Sequence, residues 1–301
     1  MREAVLDIFY CDHYDFPLTP GHKFPLAKYR LLREELENDA RFALQAAAPA
    51  EPAPVLKIHT PAYVNEFLTG TLPGSALRRI GLPWSPELVQ RTLASVGATL
   101  RATESALACG FGGTLAGGTH HAFRNEGAGF CVFNDLAIAI ECARENASIR
   151  RAAVIDLDVH QGDGTAAIFA GDPEVFTFSL HGARNFPFRK QRSALDIELP
   201  DRTGDDAYLA VLKTGLDRVW DFTPDLVLFQ SGVDGLSTDR LGRLSLSPEG
   251  LRCRDQLVIG QAHAWGVPLV ITLGGGYSDP IQNTVYAHAN TFRTAANIFC
   301  H

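Results

Sequence analysis

Short apolar runs and longer amphipathic ones take turns along this chain, and their different periods separate strands from helices. Six runs predict strands: Val5–Phe9, Thr114–Gly117, Ala152–Leu157, Val175–Leu180, Leu226–Gln230 and Pro268–Leu273. Six amphipathic stretches predict helices: Leu26–Glu37, Glu87–Ala108, Asn134–Glu145, Asp205–Trp220, Pro248–Ala264 and Ile281–Phe299. Several of these open on Pro, Asp or Asn and close near Gly, the residues that start and stop helices. The runs VIDLD at 154–158, LVLFQ at 226–230 and PLVITL at 268–273 are apolar on both faces. A strand that hides both faces needs cover on both, which is the habit of parallel strands flanked by helices. The alternation therefore predicts an α/β fold, a single three-layer domain over residues 1–301 with a parallel sheet between helical layers. No internal repeat interrupts it, and ALQAAAPAEPAPV at 43–55 reads as a surface connection rich in Ala and Pro.

Composition narrows the class without naming a chemistry. With 301 residues, 46% hydrophobic and 20% charged, the chain has the make-up of a globular protein with a large core. A formal charge of −7 offers no basic stripe, and the Arg pairs at 78–79 and 150–151 are too short to be polybasic, so no nucleic acid partner is expected. A mildly acidic surface sooner suits cationic substrates such as lysine-bearing peptides or polyamines. Cys11, Cys109, Cys131, Cys142, Cys253 and Cys300 fall in no CxxC spacing in a chain too long to need staples, which points to a reduced compartment. The opening MREAVLDIFYCDHYDF has polar interruptions where a signal peptide has its apolar core, and no apolar run approaches the ~20 residues of a membrane span. The expected location is cytoplasmic, with no membrane partner.

Chemistry collects just after the predicted strands. Thr114–Gly117 runs into Gly118-Thr119-His120-His121, and Ala152–Leu157 into Asp158-Val159-His160-Gln161-Gly162-Asp163. Leu226–Gln230 runs into Ser231-Gly232-Val233-Asp234, and Pro268–Leu273 into Gly274-Gly275-Gly276-Tyr277. Parallel α/β sheets bind ligands outside the carboxyl ends of their strands, so four segments deliver these side chains to one edge. Asp158 and His160 are two apart and can turn toward one ion, and Asp234 would complete three protein ligands with a position left open, the arrangement of a catalytic zinc. A lone DxH could equally be a hydrogen-bonded pair at a strand end; the convergence of four segments favours metal. Two adjacent imidazoles cannot comfortably share charge, so His120 and His121 each need a carboxylate, and Asp156 and Asp163 stand where they could serve. Tyr277, after three glycines, is either a phenol that polarises a carbonyl or a buried ring with a satisfied hydroxyl. GFGGTLAGG at 110–118 lacks the GxGxxG-helix context of a dinucleotide site, and no GxSxG elbow presents a nucleophile.

Taken together, GGTHHAFRNEGAGFCVFND at 117–135, VIDLDVHQGDGT at 154–165, SGVDGLSTDRLGRLSLS at 231–247 and LGGGYS at 273–278 resemble the zinc-dependent histone deacetylase family in order and spacing. The resemblance covers nearly the whole chain. GHKFPLAKY at 21–29, Gln161 and DRLG at 239–242 look closest to class IV-like and bacterial members. What the resemblance implies is an arginase/deacetylase-like fold with a central parallel sheet of about eight strands. It implies zinc on Asp158, His160 and Asp234, His121 as general base and acid, His120 as its electrostatic partner, and Tyr277 as donor to the scissile carbonyl. It implies that Gly129 offers its carbonyl to the substrate amide, and that Phe130 and Phe186 wall a narrow acyl-lysine tunnel. It also implies a potassium ion held by Asp156, Ser179 and the carbonyls of Asp158, His160 and Leu180. Related arginases use a DxHxD motif and two metals; Gly162 stands at the second Asp here, so one catalytic metal is expected.

The activity so implied is hydrolysis of acetyl or longer acyl groups from lysine in proteins or peptides. The nearest alternative is a small acyl-amine substrate such as an acetylpolyamine, which polyamine-selective relatives favour through an acidic gatekeeper; the matching position is the apolar Leu241. A catalytically silent acyl-lysine-binding or regulatory protein is the rival from another class, and retention of every ligand, the His pair and Tyr277 speaks against it. The rim aspartate of many relatives has no counterpart in TLPGSALRRIGLPWSPEL at 71–88.

Overall fold

A computed structural model describes residues 5–146 and 149–300. In chain order the elements are β1 (Leu6–Tyr10), α1 (Ala27–Leu36), β2 (Phe42–Ala46), α2 (Pro52–Val55), α3 (Pro61–Thr69), α4 (Gly74–Ile80), α5 (Pro86–Cys109), β3 (Phe111–Thr114) and α6 (Asp135–Asn146). They continue with β4 (Ala152–Asp156), α7 (Asp163–Ile168), β5 (Val175–Gly182), β6 (Leu195–Leu199), α8 (Asp205–Asp221), β7 (Leu226–Gln230), α9 (Pro248–Ala264), β8 (Leu269–Thr272) and α10 (Gln282–Phe299). The strands form one 8-stranded sheet in the order β2-β1-β3-β8-β7-β4-β5-β6, parallel throughout.

Alternation along the central strands divides the core between the two faces. Ala153 and Ile155 of β4, Val227 and Phe229 of β7, and Leu269 and Ile271 of β8 point into one apolar cluster with α1, α8, α9 and α10. Their neighbours Val154, Leu226, Leu228 and Val270 point into the other, with α5 and α6. Side chains on a strand alternate faces, so an apolar residue at every position builds two cores at once. The helices start where side chains can take their orphan amides: the Ser85 hydroxyl accepts from Leu88 N at 3.1 Å, Ser247 accepts from Gly250 N at 3.0 Å, and each is followed by Pro at the first helical position. The result is the single helix-sheet-helix domain that the alternation predicts.

Three predictions need correction. The strand expected at Thr114–Gly117 is Phe111–Thr114; α5 presses so close that a Cβ at Gly112 would sit 1.9 Å from the Ala102 carbonyl oxygen, and the glycines that look like loop are required by that contact. The stretch 43–55 is no plain connection, because β2 and α2 lie in it. The edge strand β6 and the short helices α3, α4 and α7 are additional to the expected elements. Both unpredicted strands are sheet edges with half-buried faces, so neither carries the continuous apolar signal of the centre. Among the described residues no helix is long and apolar enough to cross a membrane.

Burial of one histidine sets part of the acid sensitivity. His59 is 1% exposed, its Nε2 accepts from Asn134 N at 2.9 Å, and burial pulls its pKa down to about 4 from 6.5. The proton binds the unfolded chain more readily, so this contribution to stability is whole above about pH 6.5 and lost as pH falls through about 4, roughly 3 kcal/mol at most. Urea unfolding at pH 7 and pH 4 should show that loss, and His59→Gln, which keeps an acceptor for Asn134 N without titrating, should flatten it. The same slope in the variant would assign the loss to other groups.

Candidate active site

The four chemistry-bearing loops leave β3, β8, β7 and β4, which are consecutive in the middle of the sheet. Chain order and spatial order part here, since β3 and β4 are separated by two later strands; such a switch point opens a crevice at the carboxyl edge.

Asp158, His160 and Asp234 meet in that crevice, each with one ligand atom within 4.8 Å of the others'. His160 Nδ1 faces both carboxylates, 2.9 Å from Asp158 Oδ1 and 3.0 Å from Asp234 Oδ2. Main-chain donors lock the acids in place: Val159 N to Asp234 Oδ1 at 2.9 Å, His160 N to Asp158 Oδ1 at 2.9 Å, and Gly275 N to Asp158 Oδ2 at 2.5 Å. A side chain at 275 would put Cβ 1.7 Å from Asp234 Oδ2, which is why the loop is glycine there. Two buried carboxylates this close repel, and burial together with the charge on Asp158 raises Asp234 to about 7. Burial disfavours a charged His160, yet the two aspartates lift it to about 10. Two hard oxygens and a borderline nitrogen around a point that calls for positive charge fit a divalent ion such as zinc.

Beside this cluster the two histidines are each tied to their own carboxylate. His120 Nδ1 lies 2.7 Å from Asp156 Oδ2, and His121 Nδ1 2.7 Å from Asp163 Oδ1. The rings are 4.0 Å apart and both buried. Burial works against a charge on His120, but Asp156 wins and raises it to about 9. Burial and the neighbouring His120 push His121 down to about 4, with Asp163 only partly opposing. The pair is thus split into a cationic ring and a neutral one. Their loop is fastened from α6: Asp135 accepts from Gly118 N at 3.1 Å and Thr119 N at 2.7 Å, while Asn134 Nδ2 donates to the Ala122 carbonyl at 3.2 Å.

Above these groups opens a cavity of about 570 Å³ lined by His121, Gly129, Phe130, His160, Phe186, Leu241 and Tyr277 among others. Phe186 stands edge-on to His121 with ring centroids 4.9 Å apart, and Phe130 lies 6.3 Å from the Tyr277 ring. Gly129 and Phe130 both have positive φ, +52° and +67°, in a tight turn held by Gly129 N to the Arg79 carbonyl and Phe130 N to the Ile80 carbonyl at 3.2 and 2.7 Å. Burial, reinforced by Asp234 and Asp158, pushes the Tyr277 phenol well above its usual range, so it stays a donor. Asp156 and Ser179 are register partners on β4 and β5 with Leu180 next, and the Ser179 hydroxyl meets His181 Nδ1 at 2.9 Å.

Asp158, His160, Asp234, the two His-Asp pairs, Gly129, Phe130, Phe186, Leu241 and Tyr277 thus lie in or beside one crevice, and sequence reasoning missed residues that hold it in shape. Asp239 accepts from Leu241 N, Gly242 N and Tyr277 N at 2.8, 2.9 and 2.6 Å, so one carboxylate positions both Leu241 and Tyr277. An Asp opening a glycine-containing turn in DRLG was the available signal. Lys28 Nζ donates to the Gly274 carbonyl at 2.9 Å across 246 positions, which no local pattern announces. Arg254, fully buried, pairs with Asp255 and donates to the Gly232 carbonyl behind Asp234. The mildly acidic overall charge is also a poor guide to the mouth, where Arg79, Arg184 and Arg243 line the cavity.

The family model described as histone deacetylase domain matches residues 22–292. A protein of a Picosynechococcus species, named only as uncharacterized, is 44% identical over 97% of this chain and 99% of its own length. Histone deacetylase 2 of Arabidopsis thaliana is 30% identical over 91% of this chain and 75% of its own, and the histone deacetylase-like amidohydrolase of Pseudomonas aeruginosa 30% over 87% and 74%. The crystal structure of the HDA15 HD domain superposes with a TM-score of 0.79 at 19% identity, covering 96% of this chain and 90% of that one, a likeness of fold.

Proposed function

The chain belongs to the histone deacetylase family of zinc-dependent amide hydrolases, and from that premise we propose that residues 1–301 act as one catalytic domain removing acetyl or longer acyl groups from lysine in proteins or peptides. One observation carries this reading: the Asp158, His160, Asp234 cluster, the two His-Asp pairs and Tyr277 share a single crevice under a cavity walled by aromatic rings. Zinc held by those three ligands supplies the Lewis acidity that makes the acyl carbonyl electrophilic and the attacking water acidic.

The rest falls to side chains. With Nδ1–H given to Asp163, neutral His121 carries its lone pair on Nε2, where it takes a proton from water and later delivers it to the departing amine. His120, cationic beside Asp156, stabilises negative charge developing at the carbonyl carbon's oxygen without exchanging a proton itself. Tyr277 donates its O–H to that same oxygen. Phe130 and Phe186 pack against the four methylenes of the lysine and keep water out, the Gly129 carbonyl accepts the substrate amide N–H, and Leu241 borders the entrance. Potassium on Asp156, Ser179 and the carbonyls of Asp158, His160 and Leu180 would hold the β4 and β5 ends together under the His120 partner.

The test is hydrolysis of acetyl- and longer acyl-lysine peptides by the zinc-loaded protein, with His120→Ala and His121→Ala alongside. His121→Ala should lose more activity than His120→Ala, by on the order of 10² or more, with zinc retained in both. Equal losses or the reverse order would exchange the two roles; no hydrolysis of any acyl-lysine by the wild type would overturn the reading.

A further inference from the structure

We propose that the mouth selects acyl-lysines flanked by acidic residues, an inference about substrate class that rests on the deacylase reading above. The cavity that opens over Tyr277 is rimmed by Arg79, Arg184 and Arg243, and among the described residues no Asp or Glu lines it. All three side chains are about half or more accessible, with exposures of 49%, 74% and 50%. Arg79 has its own partner in Glu126. Arg184 and Arg243 share the one carboxylate of Asp201, at 3.5 and 3.3 Å, longer than the 2.7–2.9 Å of a tight charge-assisted bond. Three cations therefore face two carboxylates, and the two on one side of the mouth have most of their donors free.

The geometry of an entering peptide brings those donors into use. A lysine side chain that reaches the crevice leaves its own backbone at the rim, and residues one or two positions away stand only ~3.3–3.6 Å further per step. Their side chains fall among Arg184, Arg243 and Phe188, whose ring is 88% exposed on the same lip. An acidic side chain there meets planar guanidinium forks with donors to spare and displaces only solvent, whereas a basic one meets like charge and finds the nearby carboxylates of Asp201 and Glu126 already engaged by arginines. The same rim disfavours a polyamine, whose free ammonium groups would have to lie against it. Net charge hides this: a chain at −7 carries a positive entrance.

The experiment compares matched acetyl-lysine peptides with Asp or Glu, neutral, or Lys and Arg residues on either side of the acylated position, plus acetylated polyamine, on the zinc-loaded protein. The acidic peptides should lead the basic ones by roughly tenfold in kcat/KM, mostly through KM, the size of one charge-assisted hydrogen bond at a wet site. The ratio should shrink toward one at 0.5 M salt, where screening is short-ranged. Each rate is divided by that on the neutral peptide, so that a general loss cancels; in Arg184→Glu/Arg243→Glu the acidic-to-basic ratio should invert, and in Asp201→Asn it should grow. Peptide affinity measured by fluorescence anisotropy separates the two readings. A protein that binds acidic over basic peptides while hydrolysing none keeps the cationic selectivity and overturns the deacylase reading. Hydrolysis at equal rates, a preference for basic peptides, or faster turnover of acetylated polyamine overturns the selectivity.

Discussion

Asp158→Ala and Asp234→Ala should each abolish turnover and lower zinc affinity by more than ~100-fold, beyond the 10–100-fold that loss of a mere supporting partner costs. The three donors carry two negative charges into a buried pocket, and removing either halves the charge that balances a divalent ion. The variants also separate zinc from fold. Without a cation the two carboxylates oppose each other, as the rise of Asp234 to about 7 records, and zinc relieves that conflict by binding the folded state. Added zinc should therefore raise the Tm of the wild type and leave that of the variants nearly unchanged. Alanine also strips acceptors from Val159 N and His160 N, so Asp158→Asn and Asp234→Asn, which keep an oxygen for each, carry the test if the alanine forms fold poorly. Full zinc occupancy by elemental analysis in both Asp158 and Asp234 variants would overturn the ligand assignment.

The parts legible in the sequence were those where one short segment carries both structure and chemistry. β4, β7 and β8 are covered on both faces and so wear apolar residues at every step but the last, and each runs straight into its functional loop. Asp158 and His160 announce themselves by spacing because the turn that aims them is local. β2 and β6 were not legible because an edge strand is half wet and its sequence is free to be mixed. The same limit hid the supports of the site. Lys28 reaches Gly274 across the whole chain, and Asp239 reaches Tyr277 across 38 positions, contacts that exist only once the sheet has brought distant loops to one edge. Charge shows the contrast most sharply, since composition averages over the surface while a substrate meets only the rim, where Arg79, Arg184 and Arg243 stand together.

Tyr277→Phe should lower kcat by on the order of 10² to 10³, about 2.7–4 kcal/mol, with little change in KM, fold or zinc content. The loss falls on kcat because a phenol bonds an oxyanion more strongly than a neutral carbonyl, so the interaction grows on the way to the transition state. The phenol is fit for that role: burial and the nearby Asp234 and Asp158 charges hold its proton far above the ordinary range. The substitution is also clean. Phenylalanine keeps the ring that faces Phe130 at 6.3 Å and sits 5.6 Å from Lys28 Nζ, and the loop is held through the main chain, by Tyr277 N to Asp239 Oδ2 and Arg240 Nε to the Tyr277 carbonyl. Neither anchor involves the hydroxyl. A near-normal kcat in Tyr277→Phe on the best substrate would make the phenol structural and leave carbonyl polarisation to the metal site or to another donor on the crevice wall.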